Sequence, residues 1–111
     1  TNVGNNKLKT QNIMKLSKII GAFESVENMV SHNNGYSRVA NQYIIYGTKG
    51  RAFQSYNTII AAVANGEIYL TKDYNCSTTT SKYCNDFLGM TSKERDTKIK
   101  SGEIKIVELS K

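Results

Sequence analysis

At 111 residues the chain falls within the size of one domain, long enough for a single core and too short for two. Its 39% hydrophobic and 22% charged residues suit a globular fold, and no apolar run nears the roughly 20 residues that a membrane helix needs. A net charge of +6 favours phosphates or an acidic protein face as partners, with a basic surface serving solubility alone as the plain alternative.

The chain opens Thr1-Asn2-Val3-Gly4 with no apolar signal core, so the expected location is intracellular, in the cytoplasm of a bacterial host. Asn, Lys, Ile and Tyr, residues with A/T-rich codons, supply more than a third of the chain, while Pro and Trp are absent. That bias points to a low-GC bacterium or its phages. Residues 1 to 9 read as a flexible tail and residues 10 to 111 as one α+β domain.

From Thr10 to Ser31 the apolar positions Ile13, Leu16, Ile20, Phe23, Met29 and Val30 recur at mainly three- and four-residue steps, which predicts an amphipathic helix. Gly21 inside it marks either a close packing contact or a break. His32-Asn33-Asn34-Gly35 ends the segment, and His32 reads as a loop residue. Tyr43 to Tyr46 is a short strand closed by the turn Gly47-Thr48-Lys49-Gly50. Arg51 to Ala64 reads as one long strand, with Phe53, Ile59, Ala61 and Val63 on one face, Gln54, Tyr56, Thr58 and Ile60 on the other, and a bulge or bend at Ser55-Tyr56-Asn57. Asn65-Gly66 is a two-residue hairpin signal, and Glu67 to Thr71 is the returning strand.

Beyond Asp73, the run Ser77-Thr78-Thr79-Thr80-Ser81 offers several N-caps for a helix through Leu88 that Gly89 stops. Thr91 to Glu94 has capping-box spacing and opens a further helix, closed by Ser101-Gly102. Glu103 to Val107 is a short edge strand or an extended tail. The expected fold is thus a three-stranded antiparallel meander with an N-terminal helix and one or two C-terminal helices packed on the sheet. Its expected core is Ile13, Leu16, Ile20, Phe23, Phe53, Ile59, Val63, Ile68, Leu70, Phe87 and Leu88.

Chemistry is harder to find than structure. The sequence offers no nucleophile with its base, no paired carboxylates and no metal-ligand spacing, so no enzyme activity and no cofactor are expected. Cys76 and Cys84 fit no C-x-x-C pattern and read as reduced thiols. Gly47 to Arg51 lacks the spacing of a phosphate loop. Lys7, Lys9, Lys15 and Lys18, and later Arg38, Lys49 and Arg51, form blocks without an acid between them. The hydroxyl run either caps its helix and ties it to the sheet, or holds an anion or a partner backbone with Lys82 adding charge.

The segments Phe53-Gln54-Ser55-Tyr56-Asn57-Thr58-Ile59-Ile60-Ala61, Ile68-Tyr69-Leu70, Tyr74, and Ser77 to Tyr83 continuing to Phe87-Leu88-Gly89 resemble a domain of small proteins in phages and mobile elements of low-GC bacteria. The resemblance covers about Tyr43 to Gly102. Where many members follow Asp-Tyr directly with Ser, this chain reads Asp73-Tyr74-Asn75-Cys76-Ser77. It implies a setting more than an activity. Small motif-free proteins of that setting are often inhibitors of host defence, anti-CRISPR proteins included, and by that analogy of context the expected function is non-enzymatic inhibition of a Cas9-like effector by surface contact.

The alternative is a double-stranded nucleic-acid-binding accessory protein, since helix, three-stranded meander and helix is also the order of double-stranded-RNA-binding domains. Candidate partner-binding residues are Lys49, Arg51, Tyr56, Lys72, Tyr74, Thr79 and Lys82, because basic and aromatic side chains are enriched in contact hot spots. The expected assembly is a monomer or weak dimer with no membrane contact.

Overall fold

The computed structural model describes residues 13–31 and 37–111, so the expected tail and the His32 loop lie outside the described residues. In chain order the elements are β1 (Ile13–Lys15), α1 (Leu16–Ile20), β2 (Phe23–Ser31), β3 (Ser37–Gly47), β4 (Gly50–Ser55), β5 (Thr58–Ala64), β6 (Glu67–Leu70), α2 (Thr78–Leu88), α3 (Ser92–Ser101), β7 (Ile104–Ile106) and β8 (Glu108–Ser110). β2 to β7 form one six-stranded sheet in sequence order, antiparallel except for the β6–β7 pair. β1 and β8 pair in parallel as a separate ribbon.

The long N-terminal helix is therefore replaced by strand, one short helix and strand. Gly21 is where it breaks, at φ 82 and ψ −166, a region that essentially only glycine occupies. That conformation is fixed from outside the segment. Lys49 N–H donates to the Ile20 carbonyl at 2.7 Å, Thr48 N–H to the Ala22 carbonyl at 3.0 Å, and Ala22 N–H to Thr48 Oγ1 at 3.2 Å. The β3–β4 turn thus seizes the end of α1 and turns the chain out as β2. Ile13 and Phe23, assigned to the core by helical spacing, are both 48% exposed.

The three-stranded meander is likewise corrected to six strands. Arg51 to Ala64 is a hairpin, not one strand: Ser55 pairs with Thr58, and Tyr56-Asn57 is the turn between β4 and β5. A bulge shifts the faces further, because Phe53 pairs with Ala61 while Gln54 pairs with Ile59, leaving Ile60 without an opposite number. Phe53 and Ile60 consequently pack in one cluster and Ile59 in the other. The alternation expected for Phe53 and Ile59 fails by that one residue. Val63, Ile68 and Leu88 are only half-buried.

Helices do not sit on one sheet face alone. Tyr83, Cys84 and Phe87 of α2 cover Phe53, Ile60, Ala61 and Leu70 on one side, with Ile104. Leu16, Ile19 and Ile20 of α1 cover Ile45, Ala52, Ile59 and Ala62 on the other, flanked by Met14 and Leu109 of the β1–β8 ribbon. With both faces covered, Ile59 to Ala62 is buried throughout, which explains its continuous apolar run.

The C-terminal reading holds. Ser77 caps α2 by accepting the Thr80 N–H at 3.1 Å, and Thr91 and Glu94 form the capping box of α3. Asn65 and Gly66, at φ 53 and 76, form the two-residue turn between β5 and β6 with the positive dihedrals of type I′.

Candidate interaction surface

The residues expected to contact a partner do not converge. Lys49 lies in the turn before β4 and Tyr56 in the turn after it, so the six residues of β4, about 20 Å of extended chain, separate them. Lys72 is exposed at the Tyr56 end, sharing a cleft of about 450 Å³ with Thr58 and Ile106. Thr79 is exposed in the first turn of α2, and Lys82, also exposed, holds its ammonium 5.3 Å from the centre of the Tyr83 ring.

Two of the seven are occupied by the fold itself. The Arg51 guanidinium lies 4.9 Å over the Phe87 ring centre and donates to the Phe87 carbonyl at 3.4 Å. Tyr74 is half-buried beneath Arg95, whose guanidinium is 4.8 Å from its ring centre. Arg95, which the sequence reading did not single out, is only 4% exposed. It donates to Ser81 Oγ at 3.1 Å and Asn85 Oδ1 at 3.0 Å, and pairs with Asp96 at 3.1 Å, which offsets the burial of its charge.

The hydroxyl run is mostly consumed in the same way. Thr80 is buried and shares hydrogen bonds with Ser77 at 3.1 Å and Ser55 at 3.2 Å, stitching the start of α2 to the end of β4. Ser81 receives the Arg95 bond. Capping by Ser77, attachment to the sheet by Thr80 and the bond of Ser81 to Arg95 on α3 account for three of the five side chains, leaving Thr78 and Thr79 exposed without such a role.

Neither thiol is bonded to the other: Cys76 is exposed and Cys84 buried. Burial pushes the Cys84 thiol up to about 11, against a smaller opposing pull from Arg95, so it stays protonated at neutral pH. Among the described residues no three His, Cys, Asp or Glu side chains are grouped as a metal site, and no helix is long and apolar enough to cross a membrane.

What does stand out is a surface that helical spacing hid. β2 is the terminal strand of the described sheet, paired only with β3. Phe23 is 48% and Val26 64% exposed on it. On the α1 side of the sheet Val26 pairs with Ile45 and Tyr43 with Gln54, and these four border a cleft of about 370 Å³ that Asn41, Tyr56, Asn57 and Lys111 complete.

Tyr56 is 60% exposed and sits at φ 56, an unusual backbone for a bulky residue. Its N–H donates to the Asn41 carbonyl at 2.7 Å and its own carbonyl accepts from Gln54 Nε2 at 2.6 Å, so the strained conformation is held. Asn41 in turn, at φ 66, lies in a wide irregularity where two steps of β2, Asn28 to Val30, face five of β3, Arg38 to Tyr43. Asn28 plugs that gap by donating to the Val39 carbonyl at 2.7 Å and the Met29 carbonyl at 3.0 Å.

On the α2 side, Glu27 and Asp86, with Arg51, line a cleft of about 320 Å³ floored by Met29, Ile44 and Phe87. Tyr46 beside it has its hydroxyl pKa raised by burial and then by the charge of Glu27 and a hydrogen bond to it, against a weaker pull from Arg51. The β2 edge thus separates an aromatic cleft from an acidic one.

No curated protein and no solved structure matches this chain significantly. A family model does match, over residues 14–103, which takes in every element from α1 to α3. The chain belongs to that family, a family of unknown function designated DUF8033.

Proposed function

We propose that the protein acts without turnover, by surface contact with another protein. The observation that carries this reading is the terminal strand β2, which presents Val26 to solvent in one cleft with the strained, exposed Tyr56, and Phe23 to solvent further along the strand, opposite Gly47. Apolar and aromatic side chains gathered at an open sheet edge are the composition of a contact core. A bulky residue held at positive φ where it packs little is a feature that folding alone does not favour. In the phage and mobile-element setting that the SYNT and TTSK segments resemble, the partner proposed is a host defence nuclease of the Cas9 type, kept inactive by occupation of its surface.

The nucleic-acid alternative has lost its fold analogy, since the leading helix on which it rests is a strand, a short helix and a strand. Arg51 and Arg95 are engaged with Phe87 and Tyr74, and Lys98 and Lys105 are paired with Glu103 and Glu67.

The test is a pull-down from a low-GC bacterial lysate with nuclease added, at low and moderately high salt, followed by titration of the protein into a cleavage reaction of a purified Cas9-type nuclease. Recovery of one specific protein under both salts, with cleavage lost at stoichiometric addition, is the expected result. Loss of every partner on nuclease treatment overturns protein contact in favour of nucleic acid. Undiminished cleavage overturns the nuclease partner.

A further inference from the structure

We infer that β2 is an acceptor edge for an extended, basic segment of the partner, added as a further strand with Lys or Arg on one face and apolar side chains on the other. The inference rests on the protein-contact reading above and names the chemistry of what is bound.

The backbone comes first. From Ser25 to Asn28 the pairing of β2 with β3 runs in unbroken register, opposite Tyr46 to Tyr43, between two irregularities. A strand paired on one side turns alternate N–H and C=O groups outward, which is the template that an added strand completes. The regular stretch admits one short strand, and the irregularities bound it at each end.

The side chains set what that strand must carry. Successive residues of an added strand point to opposite sheet faces. On the α2 face they meet Glu27 and Asp86 around the apolar floor of Met29, Ile44 and Phe87, two carboxylates against the single cation Arg51, whose guanidinium is held over the Phe87 ring. No ion pair among the described residues includes either carboxylate, and Glu27 takes only the Tyr46 hydroxyl. A Lys or Arg chain suits this cleft, its stem on the apolar floor and its head between the acids. On the α1 face the same strand meets Val26 with Tyr43 and Tyr56, against which an apolar side chain packs, with Asn41, Gln54, Asn57 and Lys111 lining the same cleft.

Charge separates the possible occupants. The protein carries +6 overall, yet Glu24 and Glu27 are the only charged residues of β2. A second copy pairing through β2 would gather four carboxylates on one seam, and a nucleic acid would meet them with phosphates. A basic strand is the occupant that this edge attracts and those two are the ones it repels.

The experiment uses the full chain, isotope-labelled, with a seven-residue peptide of alternating Lys and Val as the probe, its Glu–Val counterpart as the charge control, and a version of the Lys–Val peptide methylated at alternate backbone nitrogens as the pairing control. Expected are shifts of the Ser25 to Asn28 amides with the Lys–Val peptide alone, slowed exchange of alternate β2 amides, and at least tenfold weaker binding to Glu27→Lys and to Asp86→Lys. Both substitutions are at exposed positions, and an unchanged melting temperature verifies their folds. Equal binding of the Glu–Val peptide, undiminished binding of the methylated peptide, full affinity in both variants, or no response at β2 each overturns the inference. The two readings fail separately: a partner recovered from lysate equally by wild type and Glu27→Lys leaves protein contact standing and removes the strand-acceptor edge, whereas loss of all partners to nuclease removes protein contact itself.

Discussion

Arg51 on β4 and Phe87 on α2 are joined twice, through the guanidinium 4.9 Å over the ring centre and through its hydrogen bond to the Phe87 carbonyl at 3.4 Å. Both bonds fall at the last turn of α2, where carbonyls lack helical partners and a cation also meets the negative end of the helix dipole. Arg51 therefore acts as a clamp between sheet and helix. Arg51→Ala should lower stability by about 1–2 kcal/mol, the sum of a partly buried cation–π contact and one charged hydrogen bond. Urea unfolding measures it; a midpoint equal to wild type would return Arg51 to the set of free contact residues.

Gly21 combines a steric with a conformational demand for glycine. A Cβ there would collide with the Thr48 side chain and crowd the Lys49 backbone, and the backbone itself lies where L-residues rarely go. Gly21→Ala should cost about 3 kcal/mol or more, combining dihedral strain with overpacking. Gly66 separates the two terms, because it also has positive φ, 76°, but open space where its Cβ would stand. Gly66→Val should therefore cost only the dihedral part and the β-branch, about 1–2 kcal/mol. Equal thermal shifts for the two variants would mean that the α1 and β3–β4 contact contributes nothing.

How legible these features were depends on whether their cause is local. Ser77, Thr91 with Glu94, and Asn65-Gly66 each specify structure within four residues, and α2, α3 and the β5–β6 turn appear where the sequence puts them. The Gly21 break is set by Thr48 and Lys49 across 26 or more positions, so nothing beside it announces it. β2 then misleads because an edge strand exposed on both faces has no two-residue alternation to show, and Phe23, Met29 and Val30 extend the helical spacing of α1 by chance. The hairpin at Tyr56-Asn57 was hidden by a Tyr at a positive φ that turn chemistry assigns to Gly or Asn. The site followed the same division: Tyr56 was legible as an exposed aromatic, whereas Phe23 and Val26 were folded into an expected helix and nothing local singled out Arg95.

Cys84 makes a prediction in pH. Its folded-state pKa of about 11 lies above the ordinary value of 9.0, so the folded protein holds its proton more tightly than the unfolded chain. The stabilisation is fully present below pH 9 and is lost as pH rises toward 11. Two pKa units correspond to about 2–3 kcal/mol, an order of magnitude that the Cys84→Ala variant isolates by removing its share of the alkaline slope. At pH 8 iodoacetamide should label the exposed Cys76 alone in the native protein and both cysteines in denaturant, read by mass. Double labelling of native protein at the rate of a free thiol would contradict the buried placement.

Gln42 is fully buried, and neither polar atom of its amide finds a protein partner among the described residues. Its backbone carbonyl supports the Asn28 plug at 3.4 Å, a bond that substitution of the side chain leaves in place. Gln42→Met keeps the length of the side chain while removing the polar atoms, so it should be neutral to stabilising by about 1 kcal/mol. A loss of 2 kcal/mol or more in denaturant unfolding would show that the amide is satisfied in solution.

Tyr56 sets stability against function. At φ 56 its backbone carries strain that Asn tolerates far better, and with 60% of the residue exposed the ring contributes little burial. Tyr56→Asn should therefore raise stability by about 0.5–1 kcal/mol, a few degrees in melting temperature for a chain of this size. The same substitution deletes the aromatic wall of the Val26 and Tyr43 cleft, and partner affinity should fall about tenfold, the usual scale for a Tyr at a contact hot spot. Opposite signs in the two measurements are what a residue retained for binding produces. A variant more stable and equally tight would show that the exposed ring of Tyr56 touches no partner, and the contact surface would then contract to β2 and the acidic cleft behind it.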